Sequence, residues 1–347
     1  MSSTNETKPM LKLSPSGIKT WLTDRVSFYI KYLSPIESDR LPQTQPMSIG
    51  SAFDARVKNY LHEKLIGKAP EFEFTTLFES QVEPQNRDWA LEHSNTVFNA
   101  YMLHGCVADL IYELEKAEIQ PRFEFRVEAH IPHCAELEGV LLVGYPDIYF
   151  KTKNYHVVYD WKVNGYCSRG AQSPKPGYVM TKDCWDTALA KHSRTNGKWH
   201  KNAQLAEKDG LVVNVAGGFE NIDESWALQT TIYGWQLGAE VGSELISGVD
   251  QLVFKDVGGI KQLRNSRFRG LPSKAFQARL VKEIGIIRDS IAMNHIFTDL
   301  TLEESQAKAE SIDALLEVER SDPNGFMLRQ MRESEAGFNY TTKMFND

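Results

Sequence analysis

The chain has 347 residues, 41% of them hydrophobic and 24% charged, which is the make-up of a globular protein with room for one elaborated domain or two small ones. No run approaches the roughly 18 apolar residues of a membrane span. The polar start "MSSTNETKPMLKLSPSG" lacks the apolar core of a secretory signal, and four scattered cysteines without a C-x-x-C suggest neither a disulfide framework nor a zinc or iron–sulfur site.

A reducing, cytoplasmic setting without membrane contact is therefore expected. In chain order, "LSPSGIKTWLTDRVSFYIKYL" predicts a helix opening at Ser14 and Pro15, with helical spacing at Ile18, Trp21 and Leu22. The Pro-rich "SPIESDRLPQTQP" reads as a loop. Phe53, Val57, Leu61 and Leu65 recur every fourth residue, an apolar helix face, and Asp54 sits beside that face. A more polar helical stretch runs from about Gln85 to Ala117. "RFEFRVEAHI" alternates as a strand, and "GVLLVGYPDIYF" and "YHVVYDWKV" read as two more, joined by the turn "KTKN".

After Lys162 periodicity is lost for about 60 residues, as a functional loop insertion would produce. "SWALQTTIYGWQLGAEVGSEL" is helical again, with Gly234, Gly238 and Gly242 four apart on one expected face. "VDQLVFKDV" and "KQLRNSRFRG" read as strands and "SKAFQARLVKEIGIIRDSIAMNHIF" as a helix. The last helix, "TLEESQAKAESIDALLEVER", begins with a capping box at Thr301 and Glu304.

The net charge of −7 argues against a uniformly basic nucleic-acid coat, but the charge is segregated. From Lys255 to Arg288 nine Lys and Arg face two acids, nine minus two giving +7. From Val163 to Asn202 seven bases face two acids, giving +5, and from Asp299 onward eleven acids face five bases, giving −6. A basic face of this kind could follow a phosphate backbone. Arg264, Arg267 and Arg269, expected to share one strand face, are the candidate DNA contacts. Pairing with the acidic tail is the competing reading.

The chemistry concentrates in "GYPDIYFKTKNYHVVYDWKVNG". A Val- and Tyr-rich strand that reads as buried carries Asp160 and Lys162, and Asp147 follows a Gly-Tyr-Pro corner. Buried charges are costly unless they pair or bind a cation. Two carboxylates on neighbouring strands can share a hard cation. Lys162, two residues after Asp160, points to the same sheet face, and Gln229 and Tyr233, four apart, share a helix face. Taken singly, Asp147 could be a turn cap, Asp160 with Lys162 a surface ion pair, and Gln229 with Tyr233 ordinary helix packing.

The ordered set Ser14 and Ser16, Gly50 to Asp54, Gly144 to Asp147, Asp160 to Lys162, and Gln229 to Tyr233 resembles the PD-(D/E)XK nuclease superfamily. The resemblance is to its RecB-like branch, which includes phage lambda-type exonucleases, and it spans about Leu13 to Phe254. That branch usually has His where this chain has Asp54, although lambda-type relatives carry an acid there. The C-terminal cysteine cluster of the iron–sulfur members is missing, so no such cluster is expected, and no G-x-x-x-x-G-K-[ST] loop encodes a helicase motor.

The resemblance implies an α/β (α+β) restriction-endonuclease-like core, a central mixed sheet flanked by helices. The nuclease domain would span 1–298, with an insertion at about 163–227, and an acidic helical extension would span 299–347. It implies a metal-dependent deoxyribonuclease, an exonuclease of recombination or repair, cytoplasmic or in a host's cytoplasm if phage-encoded. One or two Mg²⁺ or Mn²⁺ would be held by Asp147 and Asp160, with Asp54 nearby and the Trp161 carbonyl as a further ligand. Lys162 would orient or help deprotonate the attacking water, and Gln229 and Tyr233 would position the phosphate or Lys162. The partners implied are DNA and a single-strand annealing or other recombination protein. The alternative is a catalytically inactive member of the fold that binds DNA or protein.

Overall fold

A computed structural model describes residues 11–37, 42–164, 180–185, 194–198, 204–257 and 260–321. The chain forms two compact units, one made of Met1–Leu41, His130–Val143 and Arg279–Asp347, the other of Pro42–Ala129 and Gly144–Ala278. The first unit opens with β1 (Leu11–Leu13), α1 (Pro15–Thr23) and α2 (Arg25–Tyr32). The second begins with α3 (Gln45–Leu65), α4 (Phe74–Gln81), α5 (Arg87–Leu103) and α6 (Cys106–Leu114), then β2 (Ile119–Phe123) and β3 (Val127–Ala129). The chain visits the first unit for most of β4 (Val140–Gly144) and returns to the second for β5 (Ile148–Lys151), β6 (His156–Asn164), β7 (Met180–Trp185) and β8 (Arg194–Lys198). There follow β9 (Leu205–Lys208), β10 (Leu211–Asn214), α7 (Glu224–Gln236), β11 (Ile246–Val257) and β12 (Ile260–Gly270). The helix α8 (Lys274–Ala292) leads back to the first unit, where α9 (Leu302–Ser321) lies.

Local chemistry sets these limits. Ser14 caps α1, its Oγ accepting from Gly17 N at 3.1 Å, and the Thr301–Glu304 capping box opens α9 in both directions. The polar helical stretch is two helices, broken where Gly105 takes φ +73°. The expected single strand "RFEFRVEAHI" is likewise two, β2 and β3, because Glu124 between them adopts φ +37°. "GVLLVGYPDIYF" breaks at its Tyr-Pro corner into β4 and β5. Gly238 and Gly242 lie beyond the end of α7 at φ +99° and +79°, so the three glycines do not share a helix face. Gly234, within the helix, packs against Leu245.

In the second unit a mixed sheet runs in the order β2-β5-β6-β11-β12-β10-β9, with β7 on β12 and β8 on β7. β6 and β11 are parallel, while β5 with β6 and β11 with β12 are antiparallel. Helices flank both faces. Phe53, Val57 and Leu61 of α3, Tyr101 of α5 and Leu110 of α6 share a core with Val157, Tyr159 and Trp161 of β6. On the other face Val158 packs with Tyr149 and with Tyr233 of α7. The stretch without periodicity contributes β7 to β10 as short strands. Most of the basic segment between Val163 and Asn202 lies outside the described residues, as does the acidic tail beyond Ser321.

In the first unit β1 pairs in parallel with β4, Leu11 opposite Val140. Tyr29 Oη donates to Asp313 Oδ2 at 2.7 Å and Ser34 Oγ to Asp313 Oδ1 at 2.6 Å, which ties α2 to α9. Among the described residues no helix is long and apolar enough to cross a membrane.

Candidate active site

Strand alternation decides what β6 presents to each side. Tyr159 and Trp161 point into the α3–α5–α6 core, so Asp160 and Lys162 face α7. There Lys162 Nζ lies 2.5 Å from Asp160 Oδ2 and donates to Gln229 Oε1 at 3.3 Å. The Gln229 amide in turn donates to Asp160 Oδ1 at 3.4 Å and, at 3.5 Å, to Tyr233 Oη. The four residues expected from β6 and α7 are thus brought together.

Gly144 makes that proximity possible. A Cβ there would fall 2.8 Å from Tyr233 Cδ1 and closer still to Cε1, so only glycine lets the Tyr233 ring lie against the chain just before Asp147. At Gly50 a Cβ would meet nothing within 4 Å, and that glycine has no comparable steric role.

Asp147 joins this group to a second one. Its Oδ2 accepts from the Trp161 backbone N–H at 3.3 Å, and its Oδ1 accepts from Lys58 Nζ at 3.1 Å. The Lys58 ammonium also reaches Asp54 Oδ2 at 2.6 Å and pairs with Glu124. Gln81 Nε2 donates to Asp54 Oδ2 at 3.1 Å. Lys58 has no exposed side-chain surface, whereas Asp54, Glu124 and Asp147 keep 17%, 31% and 20% of theirs.

The electrostatics follow from this crowding. Burial pushes the Asp54 carboxyl up to about 7, against the pull of Lys58. Burial, and then the charge of Asp147, hold Asp160 well above the usual carboxylate range. Burial would raise Asp147 too, but Lys58, a hydrogen bond from Asp160 and the charge of Lys162 together lower that carboxyl. Burial alone would lower both lysines, yet the surrounding carboxylates raise Lys58 and Lys162 instead. With all groups ionised, four carboxylates (Asp54, Glu124, Asp147, Asp160) face two ammonium groups, a surplus of two negative charges.

No family model, curated protein or solved structure matches this chain. Asp54, Glu124 and Asp147 each offer an oxygen within 4.8 Å of the others, the all-oxygen set that hard divalent cations take. Asp160 Oδ2 is a buried oxygen whose near neighbour is the Lys162 ammonium at 2.5 Å. This donor set and its double negative surplus fit Mg²⁺ or Mn²⁺.

Lys58 and Glu124 were not anticipated from the sequence. Lys58 carried a legible signal, standing four residues after Asp54 on one helix. Glu124 carried none, since it joins the cluster through the backbone break after β2, where its N–H donates to the Asp147 carbonyl at 3.2 Å.

The expected DNA track of Arg264, Arg267 and Arg269 requires correction. Residue 264 differs in parity from 267 and 269, so the three do not share a face of β12. Arg264 is exposed, but Arg267 and Arg269 are 5% and 1% exposed. Arg267 forms a bidentate pair with Asp250, directly opposite it on β11, through Nε and Nη2 at 2.9 Å each. Tyr159 Oη donates to the same carboxylate at 2.6 Å, and Tyr101 joins it. Arg269 pairs with Glu113 of α6 at 2.6 and 3.1 Å. Core acids, Asp250 and Glu113, pair with these two guanidiniums.

Proposed function

We propose that the chain is a metal-dependent phosphodiesterase acting on DNA, with a core of the PD-(D/E)XK kind in its second unit. The observation that carries this reading is the convergence of Asp147 with the Asp160–Lys162 pair and Gln229 at one place. Asp147 and Asp160 would hold Mg²⁺ or Mn²⁺, with Asp54 and Glu124 within reach. Such an ion supplies charge neutralisation at the phosphate and a more acidic bound water.

The chain's own residues do the rest. Lys162, kept charged by Asp160 and Asp147, is a hydrogen-bond donor for charge developing on a phosphate oxygen, a point-charge role suited to lysine. Gln229 touches both Lys162 and Asp160 and fixes their separation. Tyr233, wedged against Gly144, fixes Gln229 in turn.

A second reading, a non-catalytic DNA- or protein-binding module, draws on Lys58, whose ammonium already pairs with three of the four carboxylates. One experiment separates the two. Purified protein is incubated with end-labelled linear and circular DNA in Mg²⁺, Mn²⁺ or EDTA. Cleavage that EDTA abolishes supports the phosphodiesterase; DNA retention without cleavage in any metal supports the binding module.

A further inference from the structure

Resting on the metal-dependent reading above, we infer that Lys58 stands in place of a second metal ion, so that the site takes a single divalent cation. The Lys58 ammonium uses Asp54 Oδ2, Glu124 Oε2 and Asp147 Oδ1. It leaves the second oxygen of each of these carboxylates, that of Asp147 accepting from Trp161 N at 3.3 Å, and beside them the Asp160 carboxylate, which Lys162 pairs at 2.5 Å.

With all four carboxylates ionised, the surplus of two negative charges is cancelled by one divalent ion. A second would place two uncompensated positive charges in a partly buried group, where screening is weak. It would also have to evict an ammonium that has three carboxylate partners and no exposed surface of its own. Lys58 comes from α3, whose neighbouring Val57 and Leu61 are wholly buried, so its stem approaches from the protein side while the carboxylates keep their exposed edges for the ion. A fixed monovalent cation thereby holds Asp54 and Glu124 in place without exchanging with solvent.

The test is the stoichiometry of Mn²⁺ binding to the full chain, by calorimetry and equilibrium dialysis in the absence of DNA. The wild type is expected to bind a single ion and Lys58→Met a second one, while Lys58→Arg, which keeps the charge, stays at one. Two ions on the wild type, or one on a folded Lys58→Met, overturn the inference and leave the metal-dependent reading standing. No binding to the wild type removes both. Should Lys58→Met fail to fold, reductive methylation of the wild type decides, read by mass spectrometry at Lys58. Lys58 is expected to stay unmodified at saturating Mn²⁺, and its becoming reactive would show that the ion displaces it.

Discussion

At Asp160 and Lys162 two opposite charges share one strand face, and the proposed chemistry depends on both. Lys162→Met should lower Mn²⁺-dependent cleavage of linear DNA about a hundredfold or more, the scale of losing one transition-state donor, with an unchanged far-UV circular dichroism spectrum. Cleavage close to the wild-type rate would remove Lys162 from the reaction. Asp54 gives a different kind of test. In the metal-free protein burial pushes it to about 7, from an ordinary value of 3.8. The folded chain therefore keeps a proton that the unfolded chain has released. This favours folding most below about pH 4, and the benefit is lost as the pH climbs to about 7. Asp54→Asn cannot titrate. Its melting temperature in EDTA, relative to wild type, should therefore improve from about pH 4 to about pH 7 and then level off, and a flat difference would refute the shift.

At the level of helices and strands, the close approach of α7 to the chain ahead of Asp147 sets what Gly144 must be. Gly144→Ala should cost about 1–3 kcal/mol in urea unfolding, the usual range for overpacking. The cost should shrink in a Tyr233→Ala background, because the ring is what the new methyl meets; equal costs in both backgrounds would place the strain elsewhere. On β12, Arg267→Met should destabilise by about 3–5 kcal/mol, since it strands a buried Asp250. Arg264→Gln, at an exposed position, should stay within about 0.5 kcal/mol of wild type. Reversed costs would undo the placement of these side chains.

These elements also show which features a sequence discloses. Asp160 with Lys162, and Gln229 with Tyr233, were legible because each pair depends only on the local period of a strand or helix. The cap at Ser14 and the box at Thr301 and Glu304 were legible for the same reason. Arg267 and Arg269 were misread because their parity against Arg264 was missed, and because Asp250 and Glu113 meet them only through sheet register and helix packing. Glu124 was hidden by a backbone break that the regular alternation around it did not betray.

At the scale of the whole molecule, the chain passes from one unit to the other at 41/42, 129/130, 143/144 and 278/279. Unit boundaries therefore do not coincide with any single cut, and α9 is part of the same unit as α1 and α2. Asp313→Ala removes the acceptor of Tyr29 and Ser34. It should speed amide hydrogen exchange in α2 while leaving β6 and α7 protected as before; unaltered exchange in α2 would show that this tie contributes nothing to the unit. The interleaving also bears on biosynthesis. Every residue of the proposed site, from Asp54 to Tyr233, belongs to the unit that is complete once Ala278 has been added, whereas the other unit still waits for Arg279–Asp347. On a ribosome, where segments fold as they emerge, the acidic group and its lysines can assemble while β1, α1 and α2 still await their C-terminal partner, so the proposed site has all its residues before the other unit has all of its own.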